Sequence, residues 1–292
     1  MRAPTLRAAG LVTVVLAGLL GSAFVLGRSL VPDPHPSAAG VATTLTGPRY
    51  GEQPPSTDFP SGTTSPRPSP DAAPDAAPVP PDGDGPYGAQ VATGSSRVAL
   101  TFDDGPDPES TGHVLDVLAA HRVRATFFVL GAMLARHPAL GRRVAGDGHE
   151  IAVHGWTHDN LLLRAPARTV SDLTRTYDLV TDVTGRPPRF LRPPYGVLTT
   201  AALVAARRLR LRPVLWSCWG RDWTATATAD TVARTVLTGL DEGGTILLHD
   251  SSRTAAPGAW RAGLAALPRV LAECRRRGWQ VGPLAGHGLR AR

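Results

Sequence analysis

A chain of 292 residues, 42% of them apolar, has room for one large domain or two small ones, and its formal charge of +7 is carried on the basic side by arginine alone, with no lysine anywhere. The missing lysine excludes Schiff-base chemistry and a phosphate-loop lysine. The basic excess lies in one part of the chain: residues 1–95 carry −2 and residues 96–292 carry +9, with the arginines mostly scattered, which argues against a nucleic-acid interface and for a neighbour such as an anionic envelope polymer or lipid surface.

In chain order, Ala8 to Leu26 is a nearly unbroken apolar run of 19 residues, preceded by Arg2 and Arg7 and followed by Arg28. That pattern reads as a secretory signal or a membrane anchor over residues 1–30. The run is close to the ~20 residues a spanning helix needs and no clear Ala-x-Ala site follows it, so an anchor is favoured over a cleaved signal. Residues 31–95 are rich in Pro, Ser, Thr, Ala, Gly and Asp, with a near repeat from Pro70 to Pro78. They lack the bulky apolar residues that offset ordering entropy and read as a disordered, semi-extended linker. The working domain is then 96–292, with one sizeable core and an extracytoplasmic place at the cell envelope, either anchored or secreted.

Within that domain, strand-length apolar runs alternate with helix-period stretches. Strands are predicted at Arg97–Asp103, Ala125–Leu130, Glu150–His154, Arg189–Arg192, Pro213–Trp219, Thr245–His249 and Trp279–Val281. Helices are predicted at Glu109–His121, Met133–Ala145, Ala165–Thr184, Thr199–Arg210, Ala229–Leu237 and Ala259–Arg277. The alternation predicts an α/β fold with about seven parallel strands, more in keeping with a barrel than with an open sheet. Cys218 falls in a strand and Cys274 in the last helix, which leaves a disulfide and two buried thiols both open.

Polar residues gather at the predicted strand ends, the rim where such barrels hold their chemistry. Thr101-Phe102-Asp103-Asp104-Gly105-Pro106 carries two adjacent carboxylates into a Gly-Pro turn. On an extended segment they point to opposite sides, so one is free for a metal and the other for a proton. His154 and His158 lie four residues apart where another strand gives way to a turn, and two imidazoles with a carboxylate such as Asp104 are a common set for a divalent cation that keeps open positions. In Arg192-Pro193-Pro194-Tyr195-Gly196 the double proline stiffens the backbone and leaves the Tyr195 amide as a rigid donor for an oxyanion, while Arg192 is available to pair with a catalytic carboxylate. Asp222-Trp223 follows a fourth strand, and His249, the residue type suited to proton transfer near neutrality, closes a fifth, with Asp222 available to orient it.

Taken together, these five ordered motifs, spread over residues 96–285, resemble the polysaccharide deacetylase family with its NodB homology domain, a carbohydrate esterase family 4-like unit. The resemblance implies a distorted, incomplete (β/α) barrel and metal-dependent removal of acetyl groups from carbohydrate. It assigns Asp103 as general base, Asp104, His154 and His158 as metal ligands, and Arg192 as the residue that steadies the base. It further assigns the Tyr195 amide to the oxyanion, Asp222 as partner of the acid His249, and Leu247, with Tyr195 and Trp223, to the substrate pocket. The implied cofactor is one divalent metal ion, zinc ahead of cobalt or manganese. The implied partner is an N-acetylated wall or extracellular polysaccharide such as peptidoglycan or chitin, with the membrane reached through the N-terminal segment. No nucleic acid and no obligate protein partner are expected. Two departures stand out: Gly155 replaces the usual Ser or Thr after the first histidine, with Thr157 nearby, and Trp219 replaces an acid often found three residues before Asp222. An O-acetyl esterase on the same scaffold and a non-catalytic tethered glycan-binding module are the alternatives.

Overall fold

The computed structural model describes residues 96–287. The segments read above as an anchor, 1–30, and a linker, 31–95, lie outside the described residues. Among those described, no helix is long and apolar enough to cross a membrane.

The elements follow one another as β1 (Arg97–Asp103), α1 (Thr111–His121), β2 (Thr126–Leu130), α2 (Gly131–Arg136), α3 (Pro138–Gly146), β3 (Glu150–Gly155), α4 (Pro166–Thr184), β4 (Phe190–Leu191), α5 (Thr200–Arg208), β5 (Arg212–Pro213), β6 (Cys218–Trp219), α6 (Ala229–Gly239), β7 (Thr245–His249), α7 (Trp260–Arg276) and β8 (Gln280–Gly282). Seven strands run side by side in the order β5-β4-β3-β2-β1-β7-β6, all parallel, and β8 pairs with the beginning of β1. The sheet curls into a half-barrel, and β5 and β6 at its two edges share no ladder among the described residues.

Strand alternation divides the side chains between two faces. Val98, Leu100 and Phe102 of β1, Phe127 and Val129 of β2, and Ile246 and Leu248 of β7 belong to the main core with residues of α1, α3, α6 and α7. Val153 and Leu191 pack in a second cluster with Leu173 of α4 and Ala202, Ala205 and Ala206 of α5. The opposite face carries Ala99, Phe128, Ala152 and Phe190, which meet Val214 and Leu284 inside the half-barrel. By the same parity that inner face continues upward to Thr101 and Asp103, to His154 and to Arg192. The interior is therefore apolar at its base and ionisable at the C-terminal rim.

Two expectations need correction. The predicted helix Met133–Ala145 is two helices, because His137 adopts φ −128°, ψ 54° ahead of Pro138, a residue that disfavours helical backbone before it and opens α3. The predicted strand Pro213–Trp219 is two short strands, β5 and β6, separated by Val214–Ser217. Its carbonyls are taken by a side chain instead of a ladder: Arg192 donates to Val214 O at 3.4 Å and to Leu215 O at 3.0 Å. The strand predicted at Trp279–Val281 is β8, Gln280–Gly282, and the sheet's eighth strand arises only from that split. Both cysteines are buried free thiols.

Candidate active site

Asp103 ends β1, but Asp104 leaves the extended conformation with φ 81°. The expectation that the two carboxylates diverge fails for that reason, and both approach one imidazole. His154 Nε2 lies 3.7 Å from Asp103 Oδ2 and 3.5 Å from Asp104 Oδ1, and His158 Nε2 lies 3.7 Å from Asp104 Oδ1. The two acids nevertheless keep separate supports. Asp103 Oδ1 accepts from the Arg192 guanidinium at 2.6 Å. Asp104 Oδ2 accepts from the Thr254 hydroxyl.

The donor set of Asp104, His154 and His158 fits a divalent cation on four counts. One ligand atom from each lies within 4.8 Å of the others. His154 Nδ1 is 2.7 Å from the Arg192 carbonyl, which can only accept, so Nδ1 is committed as a donor and Nε2 is the ring nitrogen left facing Asp104. Asp104 Oδ1 is buried without any hydrogen-bond partner, a costly state for a carboxylate oxygen unless a cation answers it. Burial pushes the His158 imidazole down to about 4, against the pull of Asp104, which leaves it neutral and able to coordinate at neutral pH. Burial also works against charge on Asp104, while His158, His154, His249 and the Thr254 hydroxyl bring its carboxyl below the ordinary value.

Gly155 has φ 131°, and a Cβ there would stand 3.2 Å from Thr157 O, so the missing hydroxyl at this position reflects backbone conformation. The loop is braced from Thr157 instead, whose hydroxyl donates to Asp159 Oδ2 at 2.5 Å and accepts from Arg164 at 3.2 Å. Arg164 also pairs with Asp159 and, at 2.6 Å, with Asp172 of α4.

Arg192 is wholly buried. Its guanidinium bonds Asp103, Thr101 Oγ1 at 2.8 Å and the two carbonyls named above, and lies 4.1 Å from the centre of the Phe128 ring. Tyr195 has φ 57°, ψ 12°, while the amides of Gly196 and Val197 fold back onto the carbonyls of Pro193 and Pro194. The Tyr195 ring meets His158 edge-on at 4.4 Å.

On the other side of the rim, His249 stands in register with Asp103 on the adjoining strand. Asp222 holds it twice, accepting from Nδ1 at 2.9 Å and from its backbone N–H at 2.9 Å. Burial opposes a charge on this imidazole, but Asp222, with the fields of Asp104 and Asp103, raises it to about 9, so it is an acid at neutral pH. Gly263 of α7 makes room for that carboxylate, since a Cβ there would fall 2.7 Å from Asp222 Oδ2. Trp223 stacks edge-on against His249 at 5.4 Å and begins an arc of indoles, Trp219 at 5.2 Å from it and Trp216 at 6.0 Å from Trp219. Leu247 is buried on β7, in register with Thr101 and Trp219.

The site also recruits residues that the sequence reading passed over. Thr101 bonds Arg192, Thr254 bonds Asp104, and Asp250 is buried beside Gly105, accepting its N–H at 3.1 Å and the Thr111 hydroxyl at 2.6 Å. Burial raises the Asp250 carboxyl to about 7, against those two bonds. In the sequence Thr101 opens the first motif and Asp250 directly follows His249, while Thr254 left no trace.

The family described as polysaccharide deacetylase matches residues 90–214. A chitooligosaccharide deacetylase of Bradyrhizobium sp. is 38% identical over 202 residues, covering 66% of this chain and 90% of that protein. The peptidoglycan-N-acetylglucosamine deacetylase PgdA of Listeria monocytogenes is 37% identical over 162 residues, which is 56% of this chain and 34% of the relative, so only about a third of that longer protein is matched. Among solved structures, the Bc1960 peptidoglycan N-acetylglucosamine deacetylase superposes with a TM-score of 0.63 at 31% identity, covering 68% of this chain and 91% of that one.

Proposed function

The chain belongs to the polysaccharide deacetylase family, and from that premise we propose that it hydrolyses the N-acetyl groups of N-acetylglucosamine units in peptidoglycan or chitooligosaccharides, releasing acetate and a free amine. The relatives matched over most of their length, a chitooligosaccharide deacetylase and a peptidoglycan N-acetylglucosamine deacetylase, support this substrate class by name. The observation that carries the reading is the buried, unpartnered Asp104 Oδ1 turned toward the Nε2 atoms of two imidazoles.

Asp104, His154 and His158 would hold a divalent cation, zinc in our reading, which when bound would supply Lewis-acid polarisation of the acetyl carbonyl and of water. The proton work falls to this chain's own side chains. Asp103, with Oδ1 tied to Arg192, keeps Oδ2 facing the site and takes the proton of the attacking water. The stiff Pro193-Pro194 turn offers the Tyr195 amide to the developing oxyanion. His249, with Nδ1 committed to Asp222, carries its transferable proton on Nε2 and delivers it to the leaving nitrogen. Trp223 and Leu247 exclude water around the acetyl methyl.

The setting is part of the same proposal. An apolar run at residues 8–26 and a proline-rich stretch to residue 95 support a domain beginning near residue 96 that works outside the cytoplasm at the cell envelope, anchored or secreted.

Acetate release from peptidoglycan, chitooligosaccharide and acetylxylan, measured side by side with and without chelator, tests the function. Metal-dependent release from the first two is expected. Release from acetylxylan alone would instead establish the O-acetyl esterase, and glycan binding without release on added Zn²⁺, Co²⁺ or Mn²⁺ would establish the binding module. Replacing Asp103 by Asn or His249 by Ala should lower the rate by a factor on the order of 10²–10⁴.

A further inference from the structure

The two oxygens of the Asp104 carboxylate have different surroundings. Oδ1 faces the imidazoles and has no hydrogen-bond partner, while Oδ2 receives the Thr254 hydroxyl from a loop 150 residues further along the chain. That loop joins β7 to α7 and is secured on both sides of Thr254. Before it, the Ser251 hydroxyl donates to Asp107 Oδ2 at 2.7 Å and accepts the Arg253 N–H at 3.0 Å. After it, the Ala256 N–H reaches the Trp223 carbonyl at 2.9 Å, and Ala255, Ala256 and Ala259 pack together with Trp223 against them. The Gly258 N–H closes the turn on Ser252 Oγ at 3.0 Å. The Thr254 hydroxyl is thus delivered by backbone fixed at either end.

We propose that Thr254 is a positioning residue of the metal centre: by engaging Oδ2 it fixes the rotation of the Asp104 carboxylate and leaves Oδ1 alone for the cation, so that Asp104 binds through a single oxygen. This rests on the reading of Asp104, His154 and His158 as a metal centre. A carboxylate free to turn about Cβ–Cγ can offer a cation either oxygen or both. A hydrogen bond to the distal oxygen removes that choice, as outer partners of metal ligands generally do. Thr254 is itself exposed, so its side chain can be changed without opening a core.

The test uses the full chain with Zn²⁺ and Co²⁺ as probes. Thr254→Val keeps the shape and removes the donor, Thr254→Ser keeps the donor, and Asp104→Asn removes the ligand. Zinc affinity is read by competition with a chromophoric chelator and cobalt coordination by visible absorption. Thr254→Val should bind zinc about 10- to 100-fold more weakly than the unsubstituted chain and shift the cobalt bands, while Thr254→Ser stays within about threefold. Thermal unfolding of the metal-free chains should remain cooperative in all of them, so that each zinc constant is read on folded protein. Zinc binding by Thr254→Val as tight as in the unsubstituted chain, with unchanged cobalt bands, would overturn the proposal, as would a loss in Thr254→Ser equal to that in Thr254→Val. If the unsubstituted chain bound no more metal than Asp104→Asn, the metal centre itself would fall and this role with it.

Discussion

With Asp222 bonded to both its Nδ1 and its amide, His249 can turn only Nε2 toward a substrate, and the same carboxylate keeps that nitrogen protonated. The sign follows directly: the ordinary imidazole value is 6.5 and here it is raised to about 9, so the acid form persists through neutrality and is lost as pH rises toward 9. The pH profile of kcat/KM should therefore show an alkaline limb governed by His249, drawn lower by the like charge of a bound cation, and Asp222→Asn should draw it lower again. An alkaline limb that ignores Asp222→Asn would remove His249 from the role of acid. Arg192 makes a second case at this scale. It is fully buried against a buried Asp103, and removing one member of such a pair leaves the other uncompensated. Arg192→Met should cost about 3–5 kcal/mol in urea unfolding, beyond its effect on rate.

Secondary-structure elements set where these side chains stand, and two glycines reveal how tightly. In an exposed helix interior, alanine is worth about 1 kcal/mol more than glycine. In α7 the sign should reverse at Gly263→Ala, because the new methyl meets Asp222 at 2.7 Å, and both melting temperature and the His249 limb should fall together. At the end of β3, restoring the family's usual residue with Gly155→Ser forces a side chain onto φ 131° and should lower stability by about 1–3 kcal/mol instead of improving the site. How much was legible in the sequence follows the same lines. β1 and β7 were readable to the residue because their alternation and apolar content agree, and the rim positions of Asp103, Asp104 and His249 came with them. The break between β5 and β6 was not, since Val214 and Leu215 look like strand and only the buried Arg192 takes their carbonyls. The partners of Thr101, Asp250 and Thr254 were hidden for a related reason: their hydroxyls and carboxylate act across 91 to 150 residues of chain, which no local pattern records.

For the molecule as a whole, the proposed cation would join the end of β1 to the turn after β3, two neighbouring regions of one rim, while the apolar clusters lie below and outside. Stripping the metal should therefore abolish acetate release yet leave far-ultraviolet circular dichroism intact, and adding it back at 100-fold above its dissociation constant should raise stability by about 2.7 kcal/mol. Collapse of the dichroism on chelation would show that the clusters alone do not sustain the fold. The pairing of Asp103 with His249 across β1 and β7 carries a last implication. Strands in a sheet keep a spacing of about 4.8 Å whatever their side chains, so in the proposed mechanism the points where a proton is collected and returned would be separated by a ruler made of main chain. Substitutions in the outer helices that leave the β1–β7 ladder intact should leave that hand-off distance the same.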